Sequence, residues 1–318
     1  MTTVPDSHTA PQQWRVRDRV VSISKPVVVG VLNVTPDSFS DGGRFDSVDS
    51  ALSHVARMVA DGVDGIDVGG ESTRPQGARP VALQEELRRV IPVLEAIRTS
   101  FPELLLSVDT TKSVVAAAAL DAGAHAINDV SGFRIDPAMG GIAAARGAGV
   151  VIVHSRGTVS DMATYRHADY ADDVVDEVIS ELSRYVVSAT ALGIPREAIV
   201  LDPGIGFSKR TSDSLRVLAR LPRVAALGFP VMVGVSRKRF IGELSGVRSA
   251  AERVAGTIGA NVMALAGGAR LFRVHDVAPN RQALDVAWGV LQAREGGVAG
   301  AHDRPNSDSR FPIPDSRQ

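Results

Sequence analysis

Carboxylate side chains follow short apolar runs at three places in this chain. They are Asp67, Asp109 and Asp202, and the amide of Asn128 follows a fourth run. A carboxylate beside apolar residues is expected to be partly desolvated, so it needs a pairing or hydrogen-bonding partner. A heterocyclic edge with adjacent N–H donors, as in a pterin or guanine, is one such partner, and Asn128 offers that ring both a donor and an acceptor. For Asp67, hydrogen bonds from backbone N–H groups are an equally good explanation.

Cationic side chains follow other apolar runs. They are Arg74, Lys209, Arg237, Lys238, Arg273 and His275. Arg273 lies inside the apolar stretch "LFRVH", where an unpaired guanidinium would be costly. An anionic ligand is the simplest partner for it, and a structural ion pair with an acidic residue is the alternative. His154 follows "VVIV", and for a single histidine on an apolar strand we favour a core role over catalysis.

The apolar runs alternate with segments of helical spacing. The runs cover residues 27–34, 65–68, 104–108, 126–130, 149–153, 199–201, 231–235 and 271–274, and helical segments include 50–60, 83–98, 174–192 and 250–266. This alternation predicts a parallel sheet with both faces covered. Eight strands favour a (β/α)8 barrel, with a doubly wound open sheet as the alternative. In a barrel the polar residues after each strand gather at one mouth, although Asp109 alone could merely cap the next helix.

Composition sets the class of protein. The chain has 318 residues and no cysteine, which excludes disulfides. Its net charge of -1 gives no basic field that would attract nucleic acid or anionic lipid. We expect tails at 1–20 and 296–318 and one barrel domain at 21–295. The first residues lack a signal-peptide pattern and the apolar runs are too short to span a bilayer, so we expect a cytoplasmic protein.

Several of these stretches together resemble the dihydropteroate synthase family. The matching blocks are "GVLNVTPDSFSDGG", "DVGGESTRP", "SVDTTK", "INDVSG", "LDPGIGFSK", "VGVSRKRFIG" and "RVHDV". The resemblance covers roughly residues 25–295 and is highly specific because the blocks are long and occur in order. It implies a (β/α)8 TIM barrel that condenses 6-hydroxymethyl-7,8-dihydropterin pyrophosphate with p-aminobenzoate in folate biosynthesis. It also implies a homodimer.

The resemblance assigns roles residue by residue. Asp109 and Lys238 are the expected catalytic residues. The expected pterin-binding residues are Asp67, Asp109, Asn128, Asp202 and Lys238. The expected pyrophosphate-binding residues are Asn33, Arg74, Arg273 and His275, with Mg²⁺ entering with the pyrophosphate and bound by Asn33. The expected p-aminobenzoate slot is formed by Phe39, Thr73, Pro75, Phe207 and Ser236.

Two positions depart from the family pattern. Val153 stands where methionine is usual before the histidine, and Gln76 stands where glycine is common. Arg156, in the loop that follows, is expected to bring a cation toward the site. An active synthase is therefore the leading hypothesis, and a weakly active or inactive paralogue that keeps the pterin- and sulfonamide-binding barrel is the alternative. A methyl-transferring pterin barrel is disfavoured, because that reaction has no pyrophosphate for Arg74 and Arg273 to bind.

Overall fold

The computed structural model describes residues 12–34, 44–71 and 81–294. Eight strands form one sheet: β3 (Val27–Asn33), β4 (Gly65–Gly69), β5 (Leu105–Asp109), β6 (Ala126–Asp129), β7 (Gly149–Val153), β8 (Ile199–Asp202), β9 (Met232–Val233) and β10 (Leu271–Val274). Their order in the sheet is β8-β7-β6-β5-β4-β3-β10-β9, and every neighbouring pair is parallel. A parallel bridge between Leu201 and Val231 joins the two edge strands. The predicted (β/α)8 TIM barrel is confirmed.

Helices surround this barrel. They are α1 (Arg44–Ala60), α2 (Leu83–Ser100), α3 (Ser113–Asp121), α4 (Met139–Ala145), α5 (Val174–Ala191), α6 (Thr211–Ala219), α7 (Leu221–Ala225), α8 (Arg239–Ser245), α9 (Val254–Ala266) and α10 (Val277–Arg294). The helix α5 shows why such segments form: Asp173 caps its N-terminus by accepting from the Val175 N–H at 2.8 Å, and apolar residues spaced by one turn face the sheet.

Alternate strand residues divide the core into two layers. On β3, Val28 and Leu32 pack outward against the helices, whereas Val27 and Val29 point into the barrel. Successive side chains of a strand point to opposite faces, so a fully apolar strand fills both layers. The barrel interior is therefore packed below the mouth, and only the carboxyl ends of the strands are left for polar groups.

A hairpin covers the opposite end of the barrel. The expected tail at 1–20 differs from the structure here, because β1 (Gln13–Val16) pairs with β2 (Arg19–Ser22) in antiparallel register. Trp14 and Val16 are buried at alternate positions, and the Trp14 indole N–H donates to the carbonyl of Ala198 at 2.9 Å. A Cβ at Gly149 would lie 2.4 Å from Val16 Cγ1, so this close contact requires glycine. The alternation of polar and apolar residues in Gln13–Val16 is the sequence signal that could have predicted this strand.

The tail predicted at 296–318 lies outside the described residues, and so does most of the N-terminal stretch before the hairpin. The domain limits of 21–295 therefore remain a prediction. Within the described part of the chain, no helix has both the length and the apolar character needed to cross a membrane.

We predict that the hairpin contributes to the stability of the whole barrel. Trp14→Ala should lower the free energy of unfolding by roughly 3–5 kcal/mol, because it leaves a cavity under the barrel. Urea unfolding followed by circular dichroism measures this loss. Arg15→Ala is the matched control, since Arg15 lies on the same strand with a half-exposed ion pair to Glu197. Equal effects of the two variants would show that the hairpin does not pack as a structural part of the barrel.

Candidate active site

The strand register brings the predicted polar residues together at the carboxyl end of the barrel. Asp109 ends β5, with Gly69 of β4 on one side and Asn128 of β6 on the other. Asp202 ends β8, and Arg273 lies on β10, which is separated from β8 by β9. Residues that are far apart in sequence therefore share one site, as the barrel topology requires.

Asp67 is the most enclosed of the carboxylates, with 1% of its surface exposed. Its Oδ2 accepts from Arg273 Nε at 2.6 Å and from Asn128 Nδ2 at 2.8 Å. Its Oδ1 accepts from the Ser107 hydroxyl at 2.5 Å. Side chains, rather than backbone N–H groups or a ligand alone, therefore satisfy this carboxylate. Ser107 was missed at the sequence level, although a serine inside the apolar run "LLSVD" was an available signal.

Arg273 forms ion pairs with two carboxylates. Of the two partners considered for it, an anionic ligand and an acidic residue of the protein, the structure shows the acidic residue. Besides Asp67, its Nη2 donates to Asp109 Oδ2 at 2.7 Å. Burial opposes the charge of Arg273, but Asp67 and Asp109 together raise its pKa. Burial raises the pKa of Asp109 to about 7, with the charge of Asp67 adding to the shift and Arg273 opposing it. Asp109 does not cap the next helix. It belongs instead to a charge cluster with Asp67 and Arg273.

Asp202 and Lys238 are two further buried charged groups of the mouth, close enough for each to influence the pKa of the other. The backbone N–H of Gly204 donates to Asp202 Oδ1 at 2.7 Å. Asp202 Oδ2 faces Gly234, where a Cβ would lie 3.8 Å away. Burial raises the pKa of Asp202, opposed mainly by Lys238, and burial lowers the pKa of Lys238 to about 8. The Lys238 ammonium donates to the carbonyl of Ile205.

Asn128 has one unsatisfied polar atom. Its Nδ2 donates to Asp67, but its Oδ1 is buried and has no hydrogen-bond partner among the described residues. A buried acceptor without a donor is destabilising, and the barrel mouth is the open side of this residue. A ligand N–H is therefore the missing partner that this geometry favours.

The loops after β9 and β10 are joined at two points. The Ser236 hydroxyl accepts from the backbone N–H of His275 at 3.1 Å and lies 3.0 Å from His275 Nδ1. The Arg237 guanidinium donates to both carboxylate oxygens of Asp276. Arg237 therefore joins the two loops through this ion pair. At the end of β3, Asn33 Oδ1 faces the same space above Gly69 as Asp109 Oδ2.

Two further predictions concern β7 and the loop after it. Val153 is buried at 3% exposure, lies beside Asp202 in register and packs in the inner core. Arg156 does not bring a free cation to the mouth, because it pairs with Glu177 at 2.7 Å and Glu181 at 2.5 Å and lies 4.2 Å from the Tyr170 ring centre. Glu177 and Glu181, one turn apart on α5, hold the Arg156 guanidinium away from the mouth.

Other predicted residues lie outside the described part of the chain. They are Phe39, Thr73, Arg74, Pro75 and Gln76. Phe207 and Ser236, from the same predicted p-aminobenzoate slot, are described, and Phe207 lies 3.9 Å from the Lys238 ammonium. The structure therefore brings the predicted pterin-binding residues together at the mouth. Asn33, His275, Phe207 and Ser236 lie at the same end of the barrel.

Comparison with known proteins gives the family. The family model for pterin binding enzymes matches residues 29–275. The dihydropteroate synthase of Synechocystis sp. is 44% identical over 260 residues, which span 82% of this chain and 88% of that protein. The chain belongs to the dihydropteroate synthase family.

Solved structures of this family have the same fold. The dihydropteroate synthase of Xanthomonas albilineans with 4-aminobenzoic acid is 44% identical with a TM-score of 0.81, covering 89% of this chain and 98% of that one. The same enzyme in complex with 7,8-dihydropteroate is 42% identical with a TM-score of 0.78, covering 88% and 99%. The chain spans only 50% of the mitochondrial folate synthesis bifunctional protein of Arabidopsis thaliana and 30% of a probable bifunctional folylpolyglutamate synthase/dihydropteroate synthase of Haloferax volcanii.

The titration of Asp109 predicts a pH dependence of stability. Its folded-state pKa of about 7 lies above its ordinary value of 3.8. A carboxyl with a raised pKa contributes stability that is fully present below the ordinary pKa and is lost as pH rises through the folded-state pKa. Wild type should therefore lose stability relative to Asp109→Asn between about pH 4 and about pH 7.

Urea unfolding of both proteins across this range measures the difference. The exposed Asp121→Asn variant, which removes a surface carboxyl paired with Arg146, is the control for a general charge effect. A constant difference between wild type and Asp109→Asn at every pH would contradict the raised pKa.

Proposed function

We propose that this chain is a dihydropteroate synthase, which joins 6-hydroxymethyl-7,8-dihydropterin pyrophosphate to p-aminobenzoate. The observation that carries the proposal is the buried Oδ1 of Asn128, which has no hydrogen-bond partner among the described residues and shares the mouth with three buried carboxylates. A pterin edge carries adjacent ring and exocyclic N–H donors, which complement Asn128 Oδ1 and the free oxygen of Asp202. Lys238 supplies a donor for the ring acceptors on the same side.

The pyrophosphate is assigned to the opposite side of the mouth. Asn33 and His275 lie at the ends of β3 and β10, and Arg273 lies on β10 with its guanidinium on Asp67 and Asp109. Arg74 follows β4 and is the expected further cation, although it lies outside the described residues. Charge-assisted hydrogen bonds from these groups favour a phosphate anion. The family and the structures with 4-aminobenzoic acid support the second substrate.

Magnesium fits this site only as a companion of the pyrophosphate. No cluster of three or more acidic or histidine ligands occurs within the described ranges. The amide oxygen of Asn33 faces the mouth above Gly69 and is a hard oxygen donor. Mg²⁺ commonly takes one or two protein oxygens and completes its shell with water and substrate phosphates. When bound, it neutralises negative charge on the departing pyrophosphate.

The charges of the mouth suit a dissociative reaction. The bond between the exocyclic carbon and the pyrophosphate oxygen breaks, and the electron pair leaves with pyrophosphate. The arylamine nitrogen then forms the new C–N bond and loses a proton. Asp67, Asp109 and Asp202 stabilise the positive charge that develops on the pterin, because they are fixed in a site from which water is largely excluded. Lys238 and Arg273 keep the same cluster from carrying excess negative charge before the substrate arrives.

Homodimer formation and a cytoplasmic location remain predictions. The weakly active paralogue remains the second candidate function, and it rests on Val153. The valine side chain packs with the inner barrel core, so it offers the pterin ring less contact than the methionine usual in the family. This substitution changes no polar residue of the site.

We predict that purified protein forms 7,8-dihydropteroate in a steady-state assay. Asn128→Ala and Lys238→Met should each lower kcat/KM by about 10²–10³-fold, the range expected for loss of a group that stabilises the transition state. Lys25→Met removes an exposed lysine below the mouth and is the matched control. No product from a folded wild type would contradict the function, and wild-type rates in both site variants would contradict the site.

We predict that Val153→Met raises kcat/KM for the pterin substrate. The added contact amounts to roughly 1–2 kcal/mol, which corresponds to about a 5- to 30-fold effect. Gln76→Gly is to be tested alone and combined with Val153→Met. If the native protein is slow and neither change raises kcat/KM, the two departures from the family pattern do not cause the low activity.

A further inference from the structure

Lys209 is a buried cation that the proposed reaction does not use. Only 1% of its surface is exposed. Its ammonium has three acceptors: His154 Nδ1 at 2.8 Å, the Gly204 carbonyl at 3.1 Å and the Phe207 carbonyl at 3.1 Å. A lysine ammonium has three donors, so all of them are used within the protein. Its role must therefore come from what it holds in place.

The two carbonyls belong to one turn, residues 204–207. The Phe207 N–H donates to the Gly204 carbonyl at 3.0 Å, which closes the turn. Gly206, at its third position, has a φ of 80°, which is the conformation that a type II turn requires of glycine. Lys209 bonds the carbonyls at both ends of this turn, and Asp202 Oδ1 accepts from the Gly204 N–H at 2.7 Å. The turn is thus fixed from two directions.

The other side of the turn faces Lys238 in the mouth. The Ile205 carbonyl accepts from the Lys238 ammonium, and the Phe207 ring centre lies 3.9 Å from it. A Cβ at Gly206 would lie 2.9 Å from Lys238 Cδ, so the turn and the Lys238 side chain are in direct contact. The position of Phe207 relative to Lys238 therefore depends on the geometry of this turn.

Behind Lys209, a polar chain continues to the outer helices. His154 Nε2 lies 3.1 Å from Glu181 Oε2, and Glu181 pairs with Arg156. Burial, followed by the charge of Lys209, lowers the pKa of His154 to about 4, which keeps the imidazole neutral. A neutral imidazole accepts from Lys209 at Nδ1, while its Nε2 lies near Glu181 without the geometry of a hydrogen bond. This arrangement orients the imidazole to receive the Lys209 ammonium.

We propose that Lys209 is the positioning residue for the p-aminobenzoate half of the site. It holds the 204–207 turn so that the Phe207 ring and the Ile205 carbonyl lie against Lys238. The inference rests on the proposed function, because Phe207 is assigned to the p-aminobenzoate slot. Among the predicted pterin-binding residues, Asp67, Asp109 and Asn128 lie on other strands away from this turn, whereas Asp202 and Lys238 contact it. Loss of the Lys209 ammonium should therefore affect p-aminobenzoate more than the pterin.

The test replaces the ammonium with a neutral group of the same shape. The chain contains no cysteine, so Lys209→Cys can be alkylated at a single thiol. Alkylation of the unfolded variant with bromoethylamine, followed by refolding, restores a lysine-like ammonium; alkylation with bromopropane gives its uncharged counterpart. Wild type taken through the same unfolding and refolding is the control. Calorimetry then measures the affinity of each protein for 4-aminobenzoate with pyrophosphate and Mg²⁺ present. The affinity for 6-hydroxymethylpterin is measured separately.

The propyl protein should bind 4-aminobenzoate at least about tenfold more weakly than the aminoethyl protein, a difference of ~1.4 kcal/mol. The affinity for the pterin should fall by less than the affinity for 4-aminobenzoate. Equal 4-aminobenzoate affinities would overturn the proposal. An equal loss of both ligands together with a lower Tm would also overturn it, because Lys209 would then act only on folding.

A second measurement does not depend on ligand binding. The amide hydrogens of Phe207 and Ser208 are bonded to the carbonyls of Gly204 and Met162, so their exchange reports on the turn. In the propyl protein they should exchange faster, while the amide of His125, bonded to the Leu106 carbonyl on the neighbouring strand β5, stays protected. Unchanged exchange at Phe207 and Ser208 would refute positioning by Lys209. If wild type binds neither ligand while exchange changes as expected, the proposed function fails but the link between Lys209 and the turn stands.

Discussion

The ion pairs from Arg273 to Asp67 and Asp109 are the interaction on which the mouth of this barrel depends. One guanidinium on β10 reaches across the interior to carboxylates on β4 and β5, at 2.6 and 2.7 Å. Removing one partner of such a buried group would leave an uncompensated charge, which is strongly destabilising. The apolar strands below the cluster and the absence of side chains at Gly69 and Gly234 leave room for these groups. Fold and site are therefore coupled at the same residues.

This constraint also explains the chemistry of the site. The buried charges are nearly balanced without substrate, so carboxylates that would repel one another are held close together. A substrate that becomes cationic at one end and releases an anion at the other can use both halves of the cluster. Burial moves the pKa values of Asp109 and Lys238 to about 7 and about 8, so small changes in their surroundings alter their charge near neutral pH.

Much of the fold followed from the sequence because the barrel strands are short, apolar and end in polar residues. Asp109, Asp202 and Lys238 could be placed at the mouth because the first two end apolar strands and Lys238 closely follows one. The partner of Arg273 could not be chosen, because it lies 206 residues away and any of several carboxylates was possible. The contacts of Lys209 with His154 and a backbone turn depend on packing between two loops, which no local spacing reveals. The hairpin around Trp14 was missed because its polar composition resembles a tail.

A crystal structure of this protein with bound 7,8-dihydropteroate would test the central claim most directly. The account predicts that a ring or exocyclic N–H of the pterin donates to Asn128 Oδ1, with the same ring edge on Asp202 and the aminobenzoate ring beside Phe207. Asn128 Oδ1 would then gain the donor that it lacks among the described residues. A product bound elsewhere, or bound in the mouth with Asn128 Oδ1 still lacking a donor, would contradict the account.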